Sequence, residues 1–389
     1  MQLKIGNKLF SIRMFCFLLL IIVYSFITSK NDVSGDGIFS ITSLLKYGTL
    51  LLCILTEIFA YYNNQKKNKK IVLISEFKNF GWYFFILLFL TLFFSIGSAQ
   101  FSLRILQTFI FVFFPMIYAF LVINTWTTDQ INTAFKIGFL FAFSGYIIST
   151  GTSLSELISS LITINYQDTN STMLESSTFA LLALGFSGYF CYFNKGISWK
   201  LLSVLFVVMT FKRQITLTAI ILLILGFFSI KKRKVNFFLF FFFSLVLVIF
   251  GFLYYYAIEP QNILNSSQMI GIDLRDFSTN RTDRLNWLEH STFKSYGFGS
   301  STDYMYKVFD GFALEMDIVQ LFVEMGPISV ISFVSFYLLF SKKNFYVFTF
   351  MYLLLINSIL SSGMASTFAW IVIFIGMASI LKISNIEQE

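Results

Sequence analysis

An all-α, polytopic membrane bundle of about twelve transmembrane helices is the fold class this sequence predicts, with one larger extracytoplasmic loop before the tenth span. Three observations predict it. Of the 389 residues, 57% are hydrophobic and only 12% charged, whereas soluble domains carry roughly 25% charged residues. Mean hydropathy is +0.76. The apolar residues gather into runs close to the ~20 needed to cross a hydrocarbon core of ~30 Å. The chain therefore reads as a single integral membrane domain, 1–389. Its net charge of +8 is concentrated in short turns between those runs, which is an orientation signal and does not point to nucleic acid.

The first run, 9–28, follows Lys4, Lys8 and Arg13 and resembles a signal peptide. It lacks a small-residue cleavage site and further spans follow, so a retained signal-anchor helix is expected. Runs at 39–61, 81–98, 103–124, 133–151 and 173–193 come next, followed by two short ones, 201–211 and 216–230, separated by "FKRQIT" (211–216). If 201–230 crosses twice, the basic N-terminus, "NNQKKNKK" (63–70), "NKGISWK" (194–200), "KKRK" (231–234), "SKKN" (341–344) and Lys382 all fall on one face. The opposite connections, 29–37 and 153–172, are acidic or polar, while 125–132 has no Lys or Arg. Spans 236–257, 318–340, 345–361 and 366–382 complete the set. Both termini are then cytoplasmic, and the longest hydrophilic segment, 258–317, lies outside between the ninth and tenth spans. The Lys231–Lys234 cluster reads as orientation or, alternatively, as a lipid headgroup site. Cys16, Cys53 and Cys191 sit within apolar runs without metal-ligand spacing and read as packing residues. No metal-ligand cluster and no nucleotide-binding fingerprint is visible, so no metal and no cofactor is expected. No internal repeat is visible either.

The chemistry concentrates in the outer segment. "RTDRLNWLEH" (281–290) holds two arginines and the only histidine. On a helix Arg281 and Arg284 are neighbours on one face. Two adjacent guanidiniums repel unless an anion lies between them, and their forks match phosphate or diphosphate oxygens. The alternative is a solvated helix on which Asp283 or Glu289 pairs with them. His290 is either a general base near neutrality or an exposed loop residue. In "SYGFGSSTDY" (295–304), Gly297 and Gly299 allow either a plain turn or a close backbone approach to a ligand. Lys212 and Arg213, at the end of an apolar run, either face a cavity or snorkel outward. "EMDIVQLFVEMGP" (315–327) carries Glu315, Asp317 and Glu324 into the membrane, with Asp317 and Glu324 seven apart on one helix face and Gly326–Pro327 loosening the turn beyond. Arg104, Lys136 and Glu175 add scattered charges that either serve function or pair within the bundle.

In order, these features are a short span with an outward "FKRQITL", a cytoplasmic turn, a span, a large outer loop with "NRTDRLNWL" and "YGFGSS", and a helix opening "MDIVQLFVEMGPI". The order, over about residues 205–382, resembles the bacterial polysaccharide repeat-unit polymerases (Wzy type) and their O-antigen ligase relatives. The motif of that family is an arginine followed by Trp, a Gly-x-Gly turn, and a polar dipeptide opening a helix that ends Glu-x-Gly. Here Arg281 or Arg284, Trp287, Gly297, Gly299, Asp317, Glu324 and Gly326 fill those positions, and Arg213 matches the membrane-edge arginine. The ligases carry a catalytic histidine where this chain has Met316–Asp317, which favours the polymerase branch.

The resemblance implies a glycosyltransferase in the bacterial cytoplasmic membrane. It would transfer a growing glycan from undecaprenyl diphosphate to the next lipid-linked repeat on the outer face, in capsular, O-antigen or exopolysaccharide biosynthesis. Its partners would be undecaprenyl-diphosphate-linked oligosaccharides, membrane lipid, and in the cell a flippase and a chain-length regulator. Arg213, Arg281 and Arg284 would bind the diphosphate, Asp317, Glu324 or His290 would serve as base, and Trp287, Gly297 and Gly299 would form the substrate loop. The rival classes are a polysaccharide-lipid flippase or other secondary transporter, which should show related halves, an O-antigen ligase, and a membrane acyltransferase, for which a lone outer-loop histidine is a poor fit.

Overall fold

The computed structural model describes residues 2–31, 41–66, 70–163, 175–193, 196–278, 281–309, 313–364 and 366–386. Parts of the connections at 29–37, 63–70, 153–172 and 194–200 lie outside these residues. Among the described residues the chain is all-helical. Helices α1 (Gln2–Asn31), α2 (Ile41–Gln65), α3 (Ile74–Ser98), α4 (Leu103–Thr125) and α5 (Thr128–Thr150) come first. A short α6 (Leu154–Thr163) precedes α7 (Ser177–Phe193), α8 (Ile197–Met209) and α9 (Arg213–Leu225), and a 3₁₀ turn at Ser229–Lys232 leads into α10 (Phe237–Ile258). The polar segment folds as α11 (Ile263–Ile270), α12 (Leu274–Phe277), α13 (Arg281–Glu289) and α14 (Ser300–Val308). The chain continues with α15 (Asp317–Met325), α16 (Pro327–Ser341), α17 (Phe345–Leu360) and α18 (Thr367–Ile386).

Among the described residues six helices are long and apolar enough to cross a membrane, and six shorter apolar helices of 10–17 residues accompany them. These mark a membrane protein. Polar residues set several boundaries. Ser102 opens α4 by accepting from the Arg104 N–H, Thr127 and Gln130 form a capping box on α5, and Asn236 and Asn344 cap α10 and α17.

Three expected spans are corrected. The run read as 81–98 begins at Ile74, because Glu76 and Lys78 do not end the helix. Glu76 is buried and ion-paired with Lys343, so its charge is neutralised inside the packing. The span read as 216–230 ends at Leu225, where Gly226 follows and the Lys231 ammonium caps the turn, donating to Gly226 O at 2.6 Å and Tyr192 O at 3.2 Å. The span read as 318–340 is two helices. Gly326 lies at φ +73°, ψ −170°, outside helical space, and Pro327 then starts α16. Asp317 and Glu324 thus belong to the separate nine-residue α15. The interruption at 211–216 is a genuine break, since Phe211 sits at φ +58° between α8 and α9.

The core is built on α18, whose apolar window is 89% buried. It lies between α7 and α4. Close approach to α7 depends on Gly185, where an added Cβ would come within 3.0 Å of Val372 Cγ1 and 3.2 Å of the Ile373 nitrogen. Small residues at such crossings let backbones approach when lipid removes the usual hydrophobic drive. At the end of the bundle that carries the basic turns, the buried Glu57 carboxylate collects Arg13 Nη1 at 3.1 Å, Thr125 Oγ1 at 2.5 Å and Trp126 Nε1 at 2.7 Å. That network ties α1, α2 and α4 together in a low-dielectric setting. Removing its anion alone is expected to be severe. Glu57→Ala should cost roughly 3 kcal/mol or more, whereas Leu51→Ala, half-exposed on the lipid side, should cost well under about 1 kcal/mol. Thermal unfolding in detergent checks this, and similar midpoints for the two variants would contradict the staple role.

Candidate functional site

Arg213 opens α9 because the preceding residues cannot continue α8. Phe211 occupies the left-handed region, and Lys212, only 6% exposed, turns inward to Glu175 Oε1 at 2.9 Å and Ser177 Oγ at 3.0 Å. Arg281 is the first residue of α13. The two helix starts meet across a cleft of about 230 Å³ whose walls include Glu175, Lys212, Arg213, Phe277, Arg281 and Ser361. Two helix N-termini and three cationic side chains line this cleft, with Glu175 matched to Lys212.

Arg284, one turn further along α13, joins Arg281 through an anion supplied by the protein. Glu315 Oε2 lies 3.0 Å from Arg284 Nη1 and 3.4 Å from Arg281 Nε. Arg284 Nη1 also donates to Ala313 O at 2.8 Å, and Arg281 Nη1 to Ser278 O at 3.2 Å. The local partners expected for the arginines are engaged elsewhere: Asp283 lies 3.8 Å from Arg275, and Glu289 accepts from the Tyr255 hydroxyl at 3.0 Å. Glu315 adopts φ +53° while its neighbours Leu314 and Met316 are fully buried. A left-handed non-glycine residue costs roughly 1–3 kcal/mol and persists only where its surroundings impose it. Here the two buried flanking side chains do so, leaving the Glu315 side chain 40% exposed beside the arginines.

The other two acids of this stretch hold loops. Asp317 begins α15 and is 3% exposed; its Oδ2 accepts from the Gly363 and Met364 N–H groups, both at 2.8 Å. It thereby fixes the α17–α18 connection, which supplies Ser361 to the cleft. Glu324, fully buried, accepts from Gly299 N at 2.7 Å, Ser301 N at 2.9 Å, Ser301 Oγ at 2.6 Å and Gln320 Nε2 at 3.0 Å. The seven-residue spacing places both on one helix, yet their carboxylates serve loops at its opposite ends. Buried and occupied by N–H donors, neither is presented to the cleft as a free base.

Gly297 and Gly299 have the positive φ of +116° and +86° that their loop requires. The loop is bound to α3 as well, with Ser95 Oγ donating to Tyr296 O at 2.6 Å and Phe298 N donating to Thr91 Oγ1 at 3.3 Å. Beyond it, Asp303 sits on α14. Burial pushes the Asp303 carboxyl up, but bonds from Lys307 Nζ at 2.6 Å and Tyr296 Oη at 2.5 Å outweigh this and hold it below its ordinary value. Trp287 is 39% exposed and stacks on Phe309 with ring centroids 5.7 Å apart, so it packs α13 against the end of α14. His290 is exposed just past α13, its Nδ1 3.0 Å from Asn286 O.

The structure therefore brings Arg213 and Arg281 to one cleft, links Arg284 to Arg281 through Glu315, and surrounds the Asp317 and Glu324 carboxylates with loop N–H donors. Sequence reading missed Glu315 as the anion between the arginines. It named the residue, but no local spacing reports a pairing 34 residues away. An apolar groove of about 840 Å³ also runs between α3 and α4, lined by Phe84, Leu88, Phe109 and Phe113 and reaching Thr91 and Ser95 beside the glycine loop.

The glycine loop gives a direct test. A Cβ on Gly297 would lie 2.5 Å from Thr91 Cγ2 and 3.0 Å from Thr91 Cα, at a φ that alanine avoids, while one on Gly151 meets nothing within 4 Å. Gly297→Ala is expected to cost roughly 2 kcal/mol or more and Gly151→Ala only about 1 kcal/mol. Unfolding midpoints in detergent compare them, and equal losses would show that the loop is not pressed onto α3. Comparison with known proteins finds no matching family model, no matching curated protein and no matching solved structure.

Proposed function

We propose that this chain is a membrane glycosyltransferase that polymerises lipid-linked oligosaccharide repeats. It would move a growing glycan from undecaprenyl diphosphate to a sugar hydroxyl of the next lipid-linked repeat, on the outer face of a bacterial cytoplasmic membrane crossed twelve times. The observation that carries this reading is the cleft in which Arg213, Arg281 and Lys212 converge at two helix starts, with Arg284 joined through Glu315. A departing diphosphate needs charge neutralisation that does not vary with pH, and guanidiniums provide it with bidentate geometry. The α3–α4 groove supports the lipid half of the substrate, because its aromatic and aliphatic walls match a long hydrocarbon chain. In this reading Asp317 and Glu324 are positioning residues that hold the cleft wall and the glycine loop.

In cells, Arg213→Ala, Arg281→Ala and Arg284→Ala should each lower polymer at least tenfold and accumulate single lipid-linked repeats on the outer face, with protein levels unchanged. Repeats trapped on the inner face would indicate a flippase, and normal chain lengths in all three variants would remove the arginine assignment. Orientation has its own reporter. The native cysteines are buried, so a cysteine placed at Met269, 88% exposed on α11, should react with an impermeant thiol reagent in intact cells. Labelling only after lysis would invert the topology.

A further inference from the structure

The pairing of Arg281 and Arg284 with Glu315 reaches beyond holding a loop. All three side chains are partly exposed (13%, 17% and 40%), and a single carboxylate oxygen lies between the two guanidiniums. It occupies the place that a ligand oxygen would take if one phosphate bridged both arginines. Its backbone is held at φ +53° by the burial of Leu314 and Met316, so the carboxylate stays beside the guanidiniums whether or not they bind it. The contact is therefore an anion held by its tether at high effective concentration.

Resting on the diphosphate reading of the cleft, we propose that Glu315 is an internal stand-in for the substrate phosphate that sets the affinity threshold for entry. A bilayer surrounds this site with phosphodiester headgroups, each carrying one negative charge. Against two arginines already neutralised in part by a tethered carboxylate, such a monoanion gains little by exchange. A diphosphate diester carries two phosphoryl groups. One can take Arg281 and Arg284 from Glu315 while the other reaches the wall formed by Arg213 and Lys212. The threshold reduces the apparent affinity of every ligand by a common factor, the fraction of molecules with the latch open. A diphosphate overcomes that factor, and ambient headgroups do not. Glu315 thus sets how tightly any anion must bind in order to enter, without touching the bound substrate and without changing the ratio of affinities.

The full-length protein in phosphatidylcholine nanodiscs tests this with two probes, inorganic diphosphate and soluble short-chain phosphatidylglycerol, by calorimetry. Glu315→Gln removes the competing charge, and Glu315→Gly removes it in a residue for which φ +53° is unstrained, which guards against a folding defect. Both variants are expected to bind diphosphate about tenfold tighter than the wild type. Phosphatidylglycerol affinity should rise by a similar factor, so that it occupies the site at concentrations that leave the wild type empty. Unchanged or weaker diphosphate binding in both variants, with wild-type binding intact and lost in Arg281→Ala, overturns the stand-in role and leaves the diphosphate cleft standing. If the wild type binds no diphosphate at all, the functional reading and the role of Glu315 fall together.

Discussion

The site depends on two buried carboxylates, one at each end of a nine-residue helix. Asp317 takes backbone N–H groups from the α17–α18 connection, and Glu324 takes them from the loop that opens α14. A buried carboxylate is costly unless donors satisfy it, and a loop backbone in this setting is equally costly unless acceptors satisfy it. Each requirement meets the other here. The two loops are far apart in sequence, but α15 holds both at fixed positions, so the cleft wall and the glycine turn cannot move independently. Charge-assisted bonds of this kind are stronger than neutral ones, which suits elements that must stay ordered at the edge of a membrane.

Upstream of that helix, the same short stretch changes character within three residues. Glu315 is half-exposed and strained, Met316 is fully buried, and Asp317 is buried and hydrogen-bonded. The backbone turn at Glu315 makes this possible, because it points the side chain away from the direction its neighbours take into the core. Strain at one residue is thus sustained by burial of the two beside it, and the result is an acid held against two arginines. The buried lysine at the site is handled similarly. Lys212 is matched by Glu175 and Ser177, so the protein supplies an anion or hydroxyl for the lysine as well.

Much of the fold was legible in the sequence, for a physical reason. Apolar runs report surroundings that exclude water, and apolar helices occupy them among the described residues, six of them long enough to cross a membrane. Where the reading went astray, a charged or breaking residue was weighed wrongly. The run read from 81 extends back to Ile74, past Glu76, which is neutralised by Lys343 within the bundle, and Gly326–Pro327 divide a run that hydropathy alone joins. The break at Lys212–Arg213 was legible because no apolar helix keeps two cations in mid-span without cause. The site was legible only as an inventory. Residue types and a three-residue spacing singled out Arg281 and Arg284, but periodicity cannot reveal that Glu315 lies between them or that Asp317 and Glu324 are occupied by loop amides. Those contacts arise from how α13 and α15 are folded against each other, which is information held in tertiary structure.

The helix that delivers the chain to this segment is held loosely. Only 17% of the apolar window of α10 is buried in the protein, against 89% for α18. At 22 residues it is about 33 Å long, close to the hydrocarbon thickness of an average bilayer. Its buried side, Leu247, Gly251, Tyr254 and Ile258, meets the protein, and the rest of its surface meets lipid, where adjustment to a thicker or thinner membrane by tilting costs little. Tyr255 on this helix holds Glu289 of α13, so a change of its tilt would bear on the arginine-bearing helix. The charged cleft would in this way answer to the thickness of the surrounding bilayer.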